Sequence, residues 1–97
     1  MRVILSPEAE QDIKDIAASV AMRASRAVAR EVVERIKAQV RFLKEFPGAG
    51  HVRGDFPSHI RATSAYSYVI LHRLEDNAVI ILRVVHGARN IAPDMVS

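Results

Sequence analysis

Residues 8–46 read EAEQDIKDIAASVAMRASRAVAREVVERIKAQVRFLKEF, without one glycine or proline. Taken as a single helix, at 1.5 Å per residue, this stretch is a rod of roughly 60 Å. A chain of 97 residues has nothing of matching length to bury such a rod against. The stretch therefore reads as two helices, broken near Arg23-Ala24-Ser25, with Ser25 as the second N-cap. The apolar positions agree. Ile13, Ile16, Ala17 and Val20 make one face of the first helix, and Val28, Val32, Ile36, Val40 and Leu43 one face of the second. Arg30, Glu34, Lys37, Arg41 and Glu45 fall on other faces and read as a solvated surface, with Glu34/Lys37 and Arg41/Glu45 as neighbouring pairs.

Outward from the helices the grammar is that of strands. Upstream, Arg2–Leu5 is a short aliphatic run that reads as a strand. Ser6-Pro7 then supplies an N-cap and a proline at the first helical position, followed by Glu8, Glu10 and Asp12, which suit the positive end of the helix dipole. Downstream, Pro47, Gly48 and Gly50 end the second helix, and residues 51–58 read as a loop. Strands are predicted at 60–63, 66–74 and 78–85, the last two joined by a polar turn, Glu75-Asp76-Asn77. Simple alternation puts Val79, Ile81, Arg83 and Val85 on one face and Ile80, Leu82, Val84 and His86 on the other. Gly87 closes the strand, and residues 90–97 form a short tail with room for a helical turn before Pro93. The expected fold is α+β in the order β-α-α-β-β-β. A strand, a helical hairpin and a three-stranded antiparallel meander share one antiparallel sheet, with the helices on one face. The whole of 1–97 reads as a single domain.

Composition narrows the function classes. Apolar residues make up 49% of the chain, enough for a real core and outside the disordered range. Cys is absent, which removes disulfides, thiolate nucleophiles and Cys-based zinc sites. The longest apolar run, Val79-Ile80-Ile81-Leu82, is far short of the about 20 residues a membrane span needs, and the N-terminus lacks a long apolar leader. A cytoplasmic location is the expectation. Net charge is +3. Lysine occurs only at Lys14, Lys37 and Lys44, and from Arg53 onward each permanent cation is arginine: Arg53, Arg61, Arg73, Arg83 and Arg89. The planar guanidinium fork suits carboxylate or phosphate, so an acidic partner is implied. His51, His59, His72 and His86 have no metal-ligand spacing, no Ser-His-Asp motif is present, and no glycine-rich loop joins a strand to a helix. Neither a metal nor a cofactor is expected.

Four stretches together resemble the ParE/RelE toxin superfamily of type II toxin–antitoxin systems, the plasmid stabilisation proteins. They are VILSPEAEQDIKDIA, VVERIKAQVRFLKEFPGAG, Arg61 with Tyr68-Val69-Ile70, and the closing ILRVVHGARNI. The ending, with His86-Gly87-Ala88-Arg89, is similar to the ParE branch. Where many relatives carry Asn-Pro between the helices, this chain has Met22-Arg23-Ala24-Ser25. The resemblance implies a toxin that acts by binding DNA gyrase and is neutralised by a cognate antitoxin whose tail folds onto it. Arg83, His86 and Arg89 are then the candidate target-binding residues, and none is catalytic.

The alternative is mRNA cleavage of the RelE type, in which a 2′-hydroxyl attacks the adjacent phosphate. That chemistry needs a base, an acid and cations. Arg61 and Arg83 are the candidate charge stabilisers, His86 the acid or base, and Tyr66 or Tyr68 a stacking platform. Against it, no lysine follows Lys44, and Gly87 follows His86 where the nucleases carry a His-Tyr ending. Structural roles compete for the same residues. Arg83 can snorkel across a sheet edge, His86 can satisfy a backbone group at a strand end, and Tyr68, alternating with Ile70, fits the core.

Overall fold

Both predicted caps close their helices. In the computed structural model, which describes residues 1–56, 59–88 and 91–96, the Ser6 hydroxyl accepts from the Ala9 N–H at 3.0 Å and the Ser25 hydroxyl from the Val28 N–H at 3.1 Å. Strand β1 (Arg2–Leu5) leads into α1 (Pro7–Arg23). Only Ala24 and Ser25 separate α1 from α2 (Arg26–Glu45), so the two helices fold back as a hairpin. The exposed ion pairs on α2 are Arg35–Glu31 and Arg41–Glu34 rather than Glu34/Lys37 and Arg41/Glu45. At such exposure they contribute little stability.

The remaining strands are β2 (His51–Val52), β3 (Arg61–Ala65), β4 (Tyr68–Glu75) and β5 (Ala78–His86), followed by a 3-10 turn over Pro93–Val96. Among the described residues they form a five-stranded sheet in the order β1-β5-β4-β3-β2. The meander is antiparallel as expected, but β1 runs parallel to β5, with Arg2 opposite Ala78 and Leu5 opposite Ile81. The sheet is therefore mixed, because the helical hairpin returns the chain to the far edge before the meander brings β5 back beside β1. Strand β2, read from sequence as loop, is a two-residue pairing on β3. The terminal helical turn begins at Pro93 rather than before it.

The turn between β3 and β4 is also displaced from expectation. Ala65 pairs with Tyr68, which leaves Tyr66-Ser67 as a two-residue turn, and Tyr66 takes φ 59°. Nothing in its residue type marks it as a turn. The second hairpin is the ordinary case: Asp76, φ 55°, turns the chain between paired Glu75 and Ala78.

The helices cover one face of the sheet. Ala9, Val20, Ala29, Val32, Ile36 and Leu43 pack on Ala65, Tyr68, Ile70, Val79, Ile81 and Val84. Full burial of a side chain such as Ile36 or Ile81 contributes roughly 1.5–3 kcal/mol. The opposite face holds a second, smaller core absent from the sequence reading: Phe56, Ile60 and Leu71, backed by Val69, Leu82, Ile91 and Val96.

The alternation expected along β5 fails at one point. Leu71 stands opposite Arg83 and His72 opposite Ile81, so Leu82 is a bulge residue without a partner on β4. The extra residue inverts the faces beyond it. Val84 joins Val79 and Ile81 in the helix-side core, and the predicted grouping of Val84 with Ile80 and Leu82 is overturned.

Candidate functional site

Strand β1 ends at Leu5, opposite Ile81, so among the described residues no strand borders the edge of β5 beyond Ile81 on that side. The start of α1 closes it. The Ser6 N–H donates to the Ile81 carbonyl at 2.9 Å and the Ser6 hydroxyl to the Leu82 carbonyl at 2.8 Å. One turn on, Asp12 accepts from the Val84 N–H at 2.9 Å. The same carboxylate takes both arms of Arg83, Nε at 2.7 Å and a terminal nitrogen at 2.9 Å. The remaining terminal nitrogen of Arg83 donates to the Met95 carbonyl at 3.3 Å. The Asp12 carboxylate raises the Arg83 guanidinium above its usual range, so this fork carries its charge at every working pH. Arg83 thus ties α1, β5 and the C-terminal turn together across the sheet edge.

Above this clamp a groove of about 660 Å³ opens between α1 and the end of β5, lined by Asp15, Ser19, Arg23, Tyr68 and His86 besides the clamp itself. His86 is exposed, and its ring stands edge-on to Tyr68 with centroids 5.4 Å apart. Its Nδ1 accepts from the Ala88 N–H at 3.1 Å, so the neutral ring carries its proton on Nε2. Gly87 is not a loose hinge. Its N–H donates to the Ser67 carbonyl at 2.8 Å, and a Cβ on it would stand 3.3 Å from that same oxygen. Past the undescribed residues 89–90 the chain lies back on the sheet through Ile91 and Val96.

The candidates named from sequence do not converge. Arg83 and His86 border one groove. Arg61 is four residue rows from His86, since Ala65 lies in the row of Tyr68 and His86; at 3.3 Å per residue that is about 13 Å along the strands, while from Arg83, in the row of Leu71 and Ala62, Arg61 is one row along and two strands across. Its guanidinium donates to the Gly50 carbonyl at 3.3 Å. Tyr68 belongs to the main core, as its alternation with Ile70 suggested, while Tyr66 is exposed in the β3–β4 turn. Arg89 lies outside the described residues. Sequence reasoning missed Asp12 as a partner for Arg83, having assigned it to the helix dipole, and missed Arg23 and Asp15 as groove residues. No local motif marks a pairing across 71 positions.

Among the described residues no group of three His, Cys, Asp or Glu is placed to hold a metal ion, and no helix is long and apolar enough to cross a membrane. His72 is fully buried at the bulge, and among the described residues neither of its ring nitrogens has a hydrogen-bond partner. Burial first, and the nearby Arg61 charge second, lower its pKa to about 4. It is a neutral core residue, away from the groove.

A strand, a helical hairpin and a meander, with the first and last strands paired and an arginine clamped to the first helix, define a class. The family model for the ParE toxin of type II toxin–antitoxin systems (parDE) matches residues 3–91, and the chain belongs to that family. It is 32% identical over 68 residues to Toxin ParE3 of Caulobacter vibrioides, a match that covers 70% of this chain and 68% of that protein. A chain from the solved structure of the chromosomal ParDE toxin–antitoxin system of P. aeruginosa superimposes with a TM-score of 0.79 at 20% identity. That alignment covers 89% of this chain and 95% of the other and shows the shared fold.

Proposed function

We propose that this toxin inhibits DNA gyrase by binding it, and that a cognate antitoxin, ordered on contact, neutralises it in the cytoplasm. The separation of Arg61 from His86, and the engagement of Arg83 by the fold itself, carry the reading. RNA cleavage needs an acid, a base and cations around one phosphate, each within about 3 Å of the atoms it serves. Here Arg83 is occupied by Asp12 and Met95, Arg61 by Gly50, and one nitrogen of His86 by Ala88. Such groups support a contact surface better than a catalytic centre. His86, beside the groove, and Arg89 are the target-binding pair of this reading, with Arg83 holding the strand that carries His86.

Two assays test the reading. Purified gyrase should lose supercoiling activity in the presence of the protein, and His86→Ala and Arg89→Ala should weaken that inhibition. Translating ribosomes incubated with the protein should yield intact mRNA. Codon-specific cleavage with supercoiling untouched overturns the proposal in favour of the nuclease. Co-purification with the product of an adjacent reading frame, with rescue of growth, tests the antitoxin.

A further inference from the structure

The end of the molecule where the α1–α2 turn meets the β3–β4 turn carries a strained aromatic residue that the fold does not need. Tyr66 sits at φ 59°, a region that Gly, Asn and Asp enter readily and a bulky aromatic residue rarely does. The other two-residue turn of the sheet uses Asp76. Burial does not offset the strain at Tyr66, whose surface is 63% exposed. The ring is held in place from outside the core, with the Arg35 guanidinium 5.1 Å from its centroid. A backbone outlier kept for an exposed, oriented side chain points to function.

The surroundings say what kind. A notch of about 210 Å³ lies beside the ring, walled by Val20, Val28 and Val32 and bordered by Tyr66, Tyr68 and Arg23. Arg23 and Tyr68 also line the larger groove below His86, so the two depressions adjoin. Around them Met22 is 88% exposed and Val28 39% exposed. Residues 22–30, MRASRAVAR, contain three arginines and no carboxylate. The Arg23 Nε is held by Ser19, and among the described residues no carboxylate lies within ion-pair distance of Arg23. Tyrosine, arginine and methionine around an apolar notch are the composition of protein-binding hot spots. A valine-walled notch receives an aliphatic or aromatic side chain and gives a phosphate nothing, which disfavours a nucleic-acid strand.

We infer that this end is a docking surface for the toxin's target protein. It takes a segment in which one apolar side chain enters the Val20–Val28–Val32 notch against Tyr66 and flanking Asp or Glu residues meet Arg23 and its neighbouring arginines. The inference rests on the reading that the protein acts by binding a protein target, and it extends the contact surface well beyond His86.

Tyr66→Asn separates this role from a structural one, because Asn relieves the backbone while removing the ring. The full chain, Tyr66→Asn and Arg23→Glu are compared by thermal melting, by growth arrest on induced expression and by inhibition of purified gyrase. Tyr66→Asn should melt at or above the wild-type temperature, yet need at least about tenfold more protein to inhibit supercoiling, the loss of one hot-spot contact. Arg23→Glu should lose inhibition with its melting temperature unchanged. Wild-type inhibition matched by both variants overturns the inference, and so does a clear loss of melting temperature in Tyr66→Asn, which would make the ring structural. If the wild type spares gyrase but arrests growth, and both variants do not, the gyrase reading falls and the docking surface stands. A wild type that does neither overturns both.

Discussion

Arg83 and Asp12 meet through two hydrogen bonds, 2.7 and 2.9 Å long, with side chains only 19% and 14% exposed. The carboxylate also holds the Val84 N–H, so its loss orphans more groups than loss of the arginine does. We expect Arg83→Ala to lower the unfolding free energy by about 2 kcal/mol and Asp12→Ala by about 3 kcal/mol. The double variant should be little worse than Asp12→Ala. Urea denaturation of the three proteins measures this, and simple additivity of the single losses would show that the pair is not coupled.

Ser6 and Ser25 are both N-caps, but only Ser6 also donates to a strand carbonyl, that of Leu82. Ser25→Ala should cost about 1 kcal/mol, the usual loss of a cap. Ser6→Ala should cost about 2 kcal/mol, because the Leu82 carbonyl at the bulge loses its donor as well. Equal losses in thermal melts would mean that the sheet-edge bond contributes nothing.

Gly50 has φ 89°, and a Cβ there would stand 2.5 Å from both the Ala62 carbonyl oxygen and the Thr63 Cγ2. Gly50→Ala should therefore cost more than about 2 kcal/mol. Gly48→Ala meets nothing within 4 Å and should be tolerated. Melting temperatures of the two variants, measured side by side, check the contrast.

His72 gives the fold an acid sensitivity. Its folded pKa, about 4, lies below the ordinary 6.5. On acidification the unfolded chain therefore takes up the proton first. The stability is complete above pH 6.5, declines as pH falls from there, and is lost by pH 4. The full effect is about 3 kcal/mol. His72→Leu removes the proton site and two unpartnered nitrogens, so the difference in stability between pH 6.5 and 4.5 should shrink by about 2 kcal/mol. An unchanged pH dependence in His72→Leu would place the sensitivity elsewhere.

What was legible in the sequence was what local chemistry writes. Ser6-Pro7 and Ser25 declared both helix starts, and the break at residues 24–25 followed from the length of the stretch alone. The alternation of Tyr68 and Ile70 placed both in the core. What was hidden depends on long-range geometry. The parallel pairing of β1 with β5 leaves no mark in either strand. The bulge at Leu82 has no glycine to announce it, and one inserted residue was enough to move Val84 to the other face. The candidate residues His86 and Arg83 were visible as types. Their partners were not, because Asp12 lies 71 positions from Arg83 and carries an ordinary helix-start signature.

The parallel pairing of the first strand with the last also sets when this fold can close. Arg2–Leu5 has no partner until residues 78–81 have been made, and Ser6 and Asp12 wait for Leu82 and Arg83. A nascent chain leaving the ribosome can form the helical hairpin early, but its first strand stays unpaired until the fifth emerges. Contacts of such sequence separation slow folding and concentrate it in a late step. Until then the sheet edge that carries His86 is not assembled. A nonsense or frameshift mutation that removes β5 takes away the partner of β1 and the anchors of Ser6 and Asp12, so we expect it to abolish the whole fold and not merely its end.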